Sequence, residues 1–178
     1  ELHVYGAYPP PKATQLHNVK QGFLIKGWAE DARQVMSYAR VCLAPLRFGA
    51  GIKGKLTDAM QCGTPSVTTL IGAEAMHEKL PWNGLIEDNP VAFANAAVKL
   101  YCDPTLWQQS QQRGLNIINQ CYNKRSLGPE LMARIEQVAA ELENHRLNNF
   151  HGAMLRHHSM KSTQYMAQWI EAKTNKSE

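Results

Sequence analysis

Through the first half of the chain, short apolar runs alternate with helical patterns, which is the signature of an α/β domain with a mostly parallel sheet. Leu2–Tyr5, Gly22–Ile25, Val41–Ala44, Ser66–Thr69 and Gly84–Ile86 predict five strands. Between the second and third, Asp31 predicts an N-cap, and Val35, Met36 and Ala39 form an apolar face at helical spacing. That makes one strand–helix–strand unit. After Val41–Pro45 comes a glycine-rich loop, then a helix on which Ile52, Leu56, Ala59 and Met60 share a face and which ends near Gly63. Pro65 opens the next strand, giving a second unit of the same kind.

Beyond residue 87 the pattern turns helical. Asn89-Pro90 and Asp103-Pro104 each set a capping side chain before a proline, so two helices begin there. A third begins near Ser126, with Leu131, Ile135, Val138 and Leu142 on one stripe. Phe150 to Lys173 carries Tyr165, Met166, Trp169 and Ile170 at helical spacing, an apolar face with no partner earlier in the sequence.

A chain of 178 residues, 44% hydrophobic and 19% charged, can bury a core; disordered, collagen-like and coiled-coil classes are excluded. The longest apolar run, Val41–Leu46, falls far short of the roughly 20 residues that a membrane span needs. The net charge of +4 fits an anionic ligand, but no Lys/Arg stripe with interleaved aromatics points to nucleic acid. Cys42, Cys62, Cys102 and Cys121 are too widely spaced for a zinc or redox motif and read as reduced thiols. His157 and His158 lie in a polar tail without further ligands at metal spacing, so no metal site is expected. The chain opens at Glu1 directly on a strand-like run, which suggests a fragment of a longer protein.

The segment Arg47 to Asp58 carries the most chemistry. A strand ends, Gly49 and Gly51 let backbone amides turn toward a ligand, and a helix begins with Lys53 and Lys55 in its first turn. Lysines there oppose the helix dipole, and a bound anion would resolve the conflict because N–H groups, dipole and ammonium converge on a phosphate. Asp58 lies five residues beyond Lys53, roughly 7.5 Å along a helix, about the offset from a pyrophosphate to its ribose. A carboxylate there can accept from both ribose hydroxyls. The alternative is purely structural: glycines making a turn, and Lys55 with Asp58 as a solvated ion pair. The Walker pattern fails, since neither Gly-Lys pair is followed by Ser or Thr. Near the same sheet edge, Gly27 and Trp28 follow the second strand, and Trp28 either stacks on a base or is an ordinary surface or core residue. Thr68, Thr69, Gly72 and Glu74 follow the fourth strand and either contact the ligand or form a polar turn. Phe48 is a pocket wall or core.

Five segments in order carry a resemblance: Gly22–Trp28, Cys42–Leu46, Gly49–Met60, Gly63–Val67 and Gly72–Glu74. Together, over Glu1 to about Val138, they resemble the C-terminal, nucleotide-sugar-binding domain of group 1 glycosyltransferases with the GT-B fold. The resemblance implies a Rossmann-like, mostly parallel sheet with flanking helices over residues 1–145 and a helical C-terminal extension over 146–178. It implies a nucleoside-diphosphate sugar as donor, no cofactor, and retention of anomeric configuration. Gly49, Gly51, Ile52, Lys53 and Lys55 would take the diphosphate, with Lys53 catalytic, and Asp58 the ribose. Gly27, Trp28, Phe48 and Glu74 would lie near the base or sugar. The acceptor, a sugar or glycan, would be held by an N-terminal domain outside this chain, so the chain alone is not expected to turn over. A role in bacterial glycan assembly, in the cytoplasm or at the periphery of the inner membrane, goes with the family.

The sequence departs from the family pattern in three places. Asp58 stands where Glu is usual, Ala50 where many members have a second Glu, and the first β-α unit of the domain is absent. Two other readings stay open: a degenerate, non-catalytic interaction module, and a sugar-nucleotide epimerase of the same fold.

Overall fold

The computed structural model describes residues 1–156 and 161–174; His157 and His158 lie outside them. The chain divides into two compact units, Glu1–Asn123 and Lys124–Glu178. In the first unit, β1 (Leu2–Tyr5), the one-turn helix α1 (Pro11–Thr14) and β2 (Phe23–Gly27) come first. Then follow α2 (Ala32–Tyr38), β3 (Cys42–Ala44), α3 (Gly54–Gln61), β4 (Ser66–Thr68), α4 (Leu70–Ala73), β5 (Gly84–Ile86), α5 (Pro90–Cys102) and α6 (Pro104–Cys121).

All five expected strands exist and every strand pair is parallel, but they form two hydrogen-bonded sheets, β1–β2 and β3–β4–β5. The strand–helix–strand unit expected around α2 therefore spans two sheets instead of pairing β2 with β3. Leu43, Val67 and Leu85 stand in register across the larger sheet and pack with Ala96 and Leu100 of α5. The neighbouring row begins at Ala44 and ends at Ile86, both of which pack with Leu56 and Met60 of α3 and Ile117 of α6. Alternation of side chains across a strand thus gives the sheet two covered faces.

The caps fall where expected. Asp31 accepts from the Arg33 and Gln34 N–H groups, Asn89 from Val91 and Ala92, and Asp103 from Leu106, each satisfying donors that the helix leaves free. Thr69, expected at the end of the fourth strand, instead caps α4, its hydroxyl accepting from Gly72 N–H at 3.1 Å.

The second unit holds α7 (Lys124–Ala140), α8 (Leu142–Asn148), α9 (Phe150–Arg156) and α10 (Ser162–Thr174). The stripe expected on one helix is divided, because Leu142 belongs to α8. None of these helices buries a residue, and Tyr165, Met166, Trp169 and Ile170 are more than half exposed. Among the described residues no helix is long and apolar enough to cross a membrane.

Candidate functional site

The site begins with how the chain leaves β3. Gly51 sits at φ 69°, in the left-handed region that a residue with a Cβ adopts only at a cost. Lys53 is extended, at φ −89° and ψ 91°, so α3 starts at Gly54 with Lys53 as its N-cap. Ile52 is therefore outside the helix and 55% exposed, not part of the apolar face it was expected to share with Leu56, Ala59 and Met60. That leaves it beside the open end of α3.

The end of α3 has no side-chain cap. The Leu56 and Thr57 N–H groups bond to the Lys53 carbonyl at 2.8 and 3.3 Å, whereas those of Gly54 and Lys55 lie too early in the helix for an intrahelical acceptor. Lys53 is buried, with 8% of its surface exposed. Its ammonium donates to the Glu74 carbonyl at 3.1 Å, and its backbone N–H donates to Met76 Sδ at 3.3 Å. Among the described residues no carboxylate lies within ion-pair distance of it. One of three ammonium donors is thus used, and the charge has no counter-ion.

Asp58, just over one turn along α3, does make an ion pair, but not the one with Lys55 that the structural alternative offered. Arg33 of α2 donates to its Oδ1 at 3.3 Å, with the two side chains 64% and 34% exposed. A single long contact between exposed groups is worth about 0–1 kcal/mol and yields readily to a ligand. Lys55 is exposed. Glu74 is brought to Lys53 through its carbonyl; its side chain is exposed. Thr68 and Thr69 are buried, their hydroxyls donating to the Ala44 and Leu46 carbonyls at 2.9 and 2.6 Å, so they tie β4 to the chain leaving β3. Trp28 and Phe48 are 72% and 86% exposed, which excludes a core role for either. Gly27 ends β2.

Three residues of the site escaped the sequence reading. Arg33 gave the same signal as the lysines, a basic side chain in the first turn of a helix, where it opposes the dipole. Met76 and Tyr122 gave none. The Tyr122 hydroxyl donates to the Met76 carbonyl at 2.8 Å, and burial, with smaller contributions from Cys121 and Glu78, pushes its phenol above the ordinary range, so it stays a donor.

No curated protein matches the chain. The family described as glycosyl transferases, group 1, matches residues 1–103, which take in both sheets, the loop after β3, α3 and the turn after α4. The chain belongs to the group 1 glycosyltransferases.

Proposed function

We propose that this chain holds the nucleoside-diphosphate sugar donor of a glycosyltransferase, with the diphosphate at the open end of α3. The observation that carries the reading is Lys53: a buried ammonium without a carboxylate partner, beside two free helix N–H groups. Burying a cation without an opposite charge is costly, and an arriving phosphate would lower that cost. Gly49, Gly51 and Ile52 shape the approach, and Lys55 adds positive potential from solvent. Asp58 accepts from the ribose hydroxyls, keeping Oδ2 for the ligand while Arg33 holds Oδ1. The base and sugar lie toward Gly27, Trp28, Phe48 and Glu74, where exposed aromatic faces offer stacking.

In the reaction the bond from the anomeric carbon to the phosphate oxygen breaks and its electron pair leaves with the diphosphate. Charge grows on that oxygen as the sugar takes on oxocarbenium character. Lys53 and the Gly54 and Lys55 amides therefore bind the departing diphosphate more strongly in the transition state than in the ground state. The acceptor, a sugar or glycan, would come from a further domain, and a hexosyl group is the expected cargo. A cytoplasmic enzyme of bacterial glycan assembly fits this reading.

The test is ligand-observed NMR with UDP, GDP, ADP and their sugar conjugates, run on the chain and on Lys53→Ala and Asp58→Ala. Selective binding of one nucleotide, weakened about tenfold or more in each variant, is the expected result. Absence of binding by every nucleotide would sink the donor-domain reading for this chain.

A further inference from the structure

The turn that touches Lys53 is built against the preference of one of its own residues. Glu74 lies at φ −53° and ψ 126°, Ala75 at φ 58°, and the Met76 N–H donates to the Ala73 carbonyl at 3.1 Å. These are the marks of a type II turn, whose third position takes glycine because a Cβ is disfavoured at positive φ. Alanine occupies it here, with its side chain exposed, so packing does not hold it there. A type I turn would keep the Ala73–Met76 hydrogen bond and relieve Ala75, at the cost of rotating the Glu74–Ala75 peptide. That rotation would take the Glu74 carbonyl away from Lys53 and swing the Ala75 N–H toward it.

The same turn grips Lys53 at its other end. Met76 Sδ accepts the Lys53 backbone N–H at 3.3 Å, and Met76 is itself fixed by the Tyr122 hydroxyl on its carbonyl at 2.8 Å. Backbone and ammonium of one lysine are thus both set by the four consecutive residues Ala73–Met76 at the end of α4, far from Lys53 in sequence.

We propose that the Ala73–Met76 turn positions Lys53 for an anion, and that Ala75 is the positioning residue that keeps the Glu74 carbonyl on the ammonium. The carbonyl takes one ammonium donor and thereby fixes the directions of the other two. This rests on the donor-site reading above, with phosphate oxygens as the ligand atoms that the two donors meet. Ala75 touches no ligand and acts through Lys53 alone.

The experiment uses the full chain, with the Lys53 ε-methylene NMR signals assigned by their loss in Lys53→Arg, and inorganic pyrophosphate as the probe. An ammonium held in one geometry gives two distinct ε-proton signals, and a free one gives a merged pair. In the wild type the signals should be split. Ala75→Gly should keep the splitting, raise the thermal midpoint by relieving strain, and hold pyrophosphate affinity within about twofold. Ala75→Val, which disfavours positive φ far more, should merge the signals and weaken pyrophosphate about tenfold or more. Split signals in Ala75→Val would overturn the proposal. If that variant does not fold, Ala75→Gly decides alone: a thermal midpoint no higher than the wild type removes the strain on which the proposal stands. Split wild-type signals without pyrophosphate binding would remove the donor site and the anion role together but keep the turn's hold on Lys53. Merged wild-type signals with pyrophosphate bound would do the reverse.

Discussion

Every side chain of β4 is buried, whereas every residue of β1 is exposed, although both strands lie in parallel ladders. The larger sheet is covered by α5 on one face and by α3 and α6 on the other. The smaller sheet leaves Leu2, Val4 and Tyr5 each somewhat over a third exposed. Ladder hydrogen bonds replace hydrogen bonds to water and contribute little net, so the difference in burial sets the difference in local stability. The consequence for the site is direct. Lys53, Asp58 and Glu74 stand on segments braced by the covered sheet, and Gly27 and Trp28 on the end of the uncovered one. The contacts proposed for the diphosphate and ribose would therefore be held more firmly than any proposed contact to the base.

The largest expected effect tests that contrast head on. Leu100→Ala, at a fully buried position of α5, should lower stability by about 2–5 kcal/mol, since it leaves a cavity against Val67. Val4→Ala, at a strand position 37% exposed, should cost under about 1 kcal/mol. Urea unfolding of both variants measures the pair. Equal losses would mean that Val4 is packed as tightly as Leu100, and the contrast between the two sheets would fail.

That contrast also marks how far the sequence could be read. Short runs found all five strands, because Leu2 and Val4 in β1, and Leu43, Val67 and Leu85 in the larger sheet, mark segments short enough to be strands and not helices. Capping residues found three helix starts, because Asp31, Asn89 and Asp103 act within a few residues of themselves. Which strands pair is decided by contacts between distant segments, so the division into two sheets left no local trace. The site followed the same rule. Lys53 stands out through a local conflict of charge with helix dipole and Asp58 through its five-residue offset from Lys53, whereas Met76 meets Lys53, and Tyr122 meets Met76, only through tertiary contacts. α3 begins later than the periodicity predicts, because Ile52 matches the helical period while the extended Lys53 that ends the loop carries no periodic signal.

A middle-sized effect separates what the covered sheet does for stability from what it does for function. Lys53→Met keeps most of the side-chain volume and removes a buried cation that has no carboxylate partner. Stability should rise by about 1 kcal/mol, because apolar replacement of poorly compensated buried charge is neutral to favourable. Pyrophosphate affinity should fall at the same time. Thermal unfolding and an NMR titration on one sample give both numbers. A variant that loses stability and keeps affinity would place Lys53 among structural residues, and the firm part of the site would then lack its cation.

The smallest effect reads the covering of the larger sheet through Cys42 on β3. Burial pushes its thiol above the ordinary range, partly opposed by the positive charge of Lys55. With the folded value raised, the folded chain holds the proton more tightly than the unfolded chain does. The resulting stability is fully present below the ordinary thiol value of about 8.5 and is lost as pH rises from there through the raised folded value. Cys42→Ala removes this contribution, so its decline in stability between pH 7.5 and pH 10 should be shallower than the wild type's. The small cavity left by the thiol shifts stability equally at both pH values and cancels in the difference. Cys121 and Tyr122 are also raised by burial, so part of the alkaline decline will persist in the variant. The expected change in the decline is a few tenths to about 1 kcal/mol. Identical declines in variant and wild type would mean that water reaches β3 as freely as it reaches β1, and the contrast between the two sheets would fail at the strand that leads into the site.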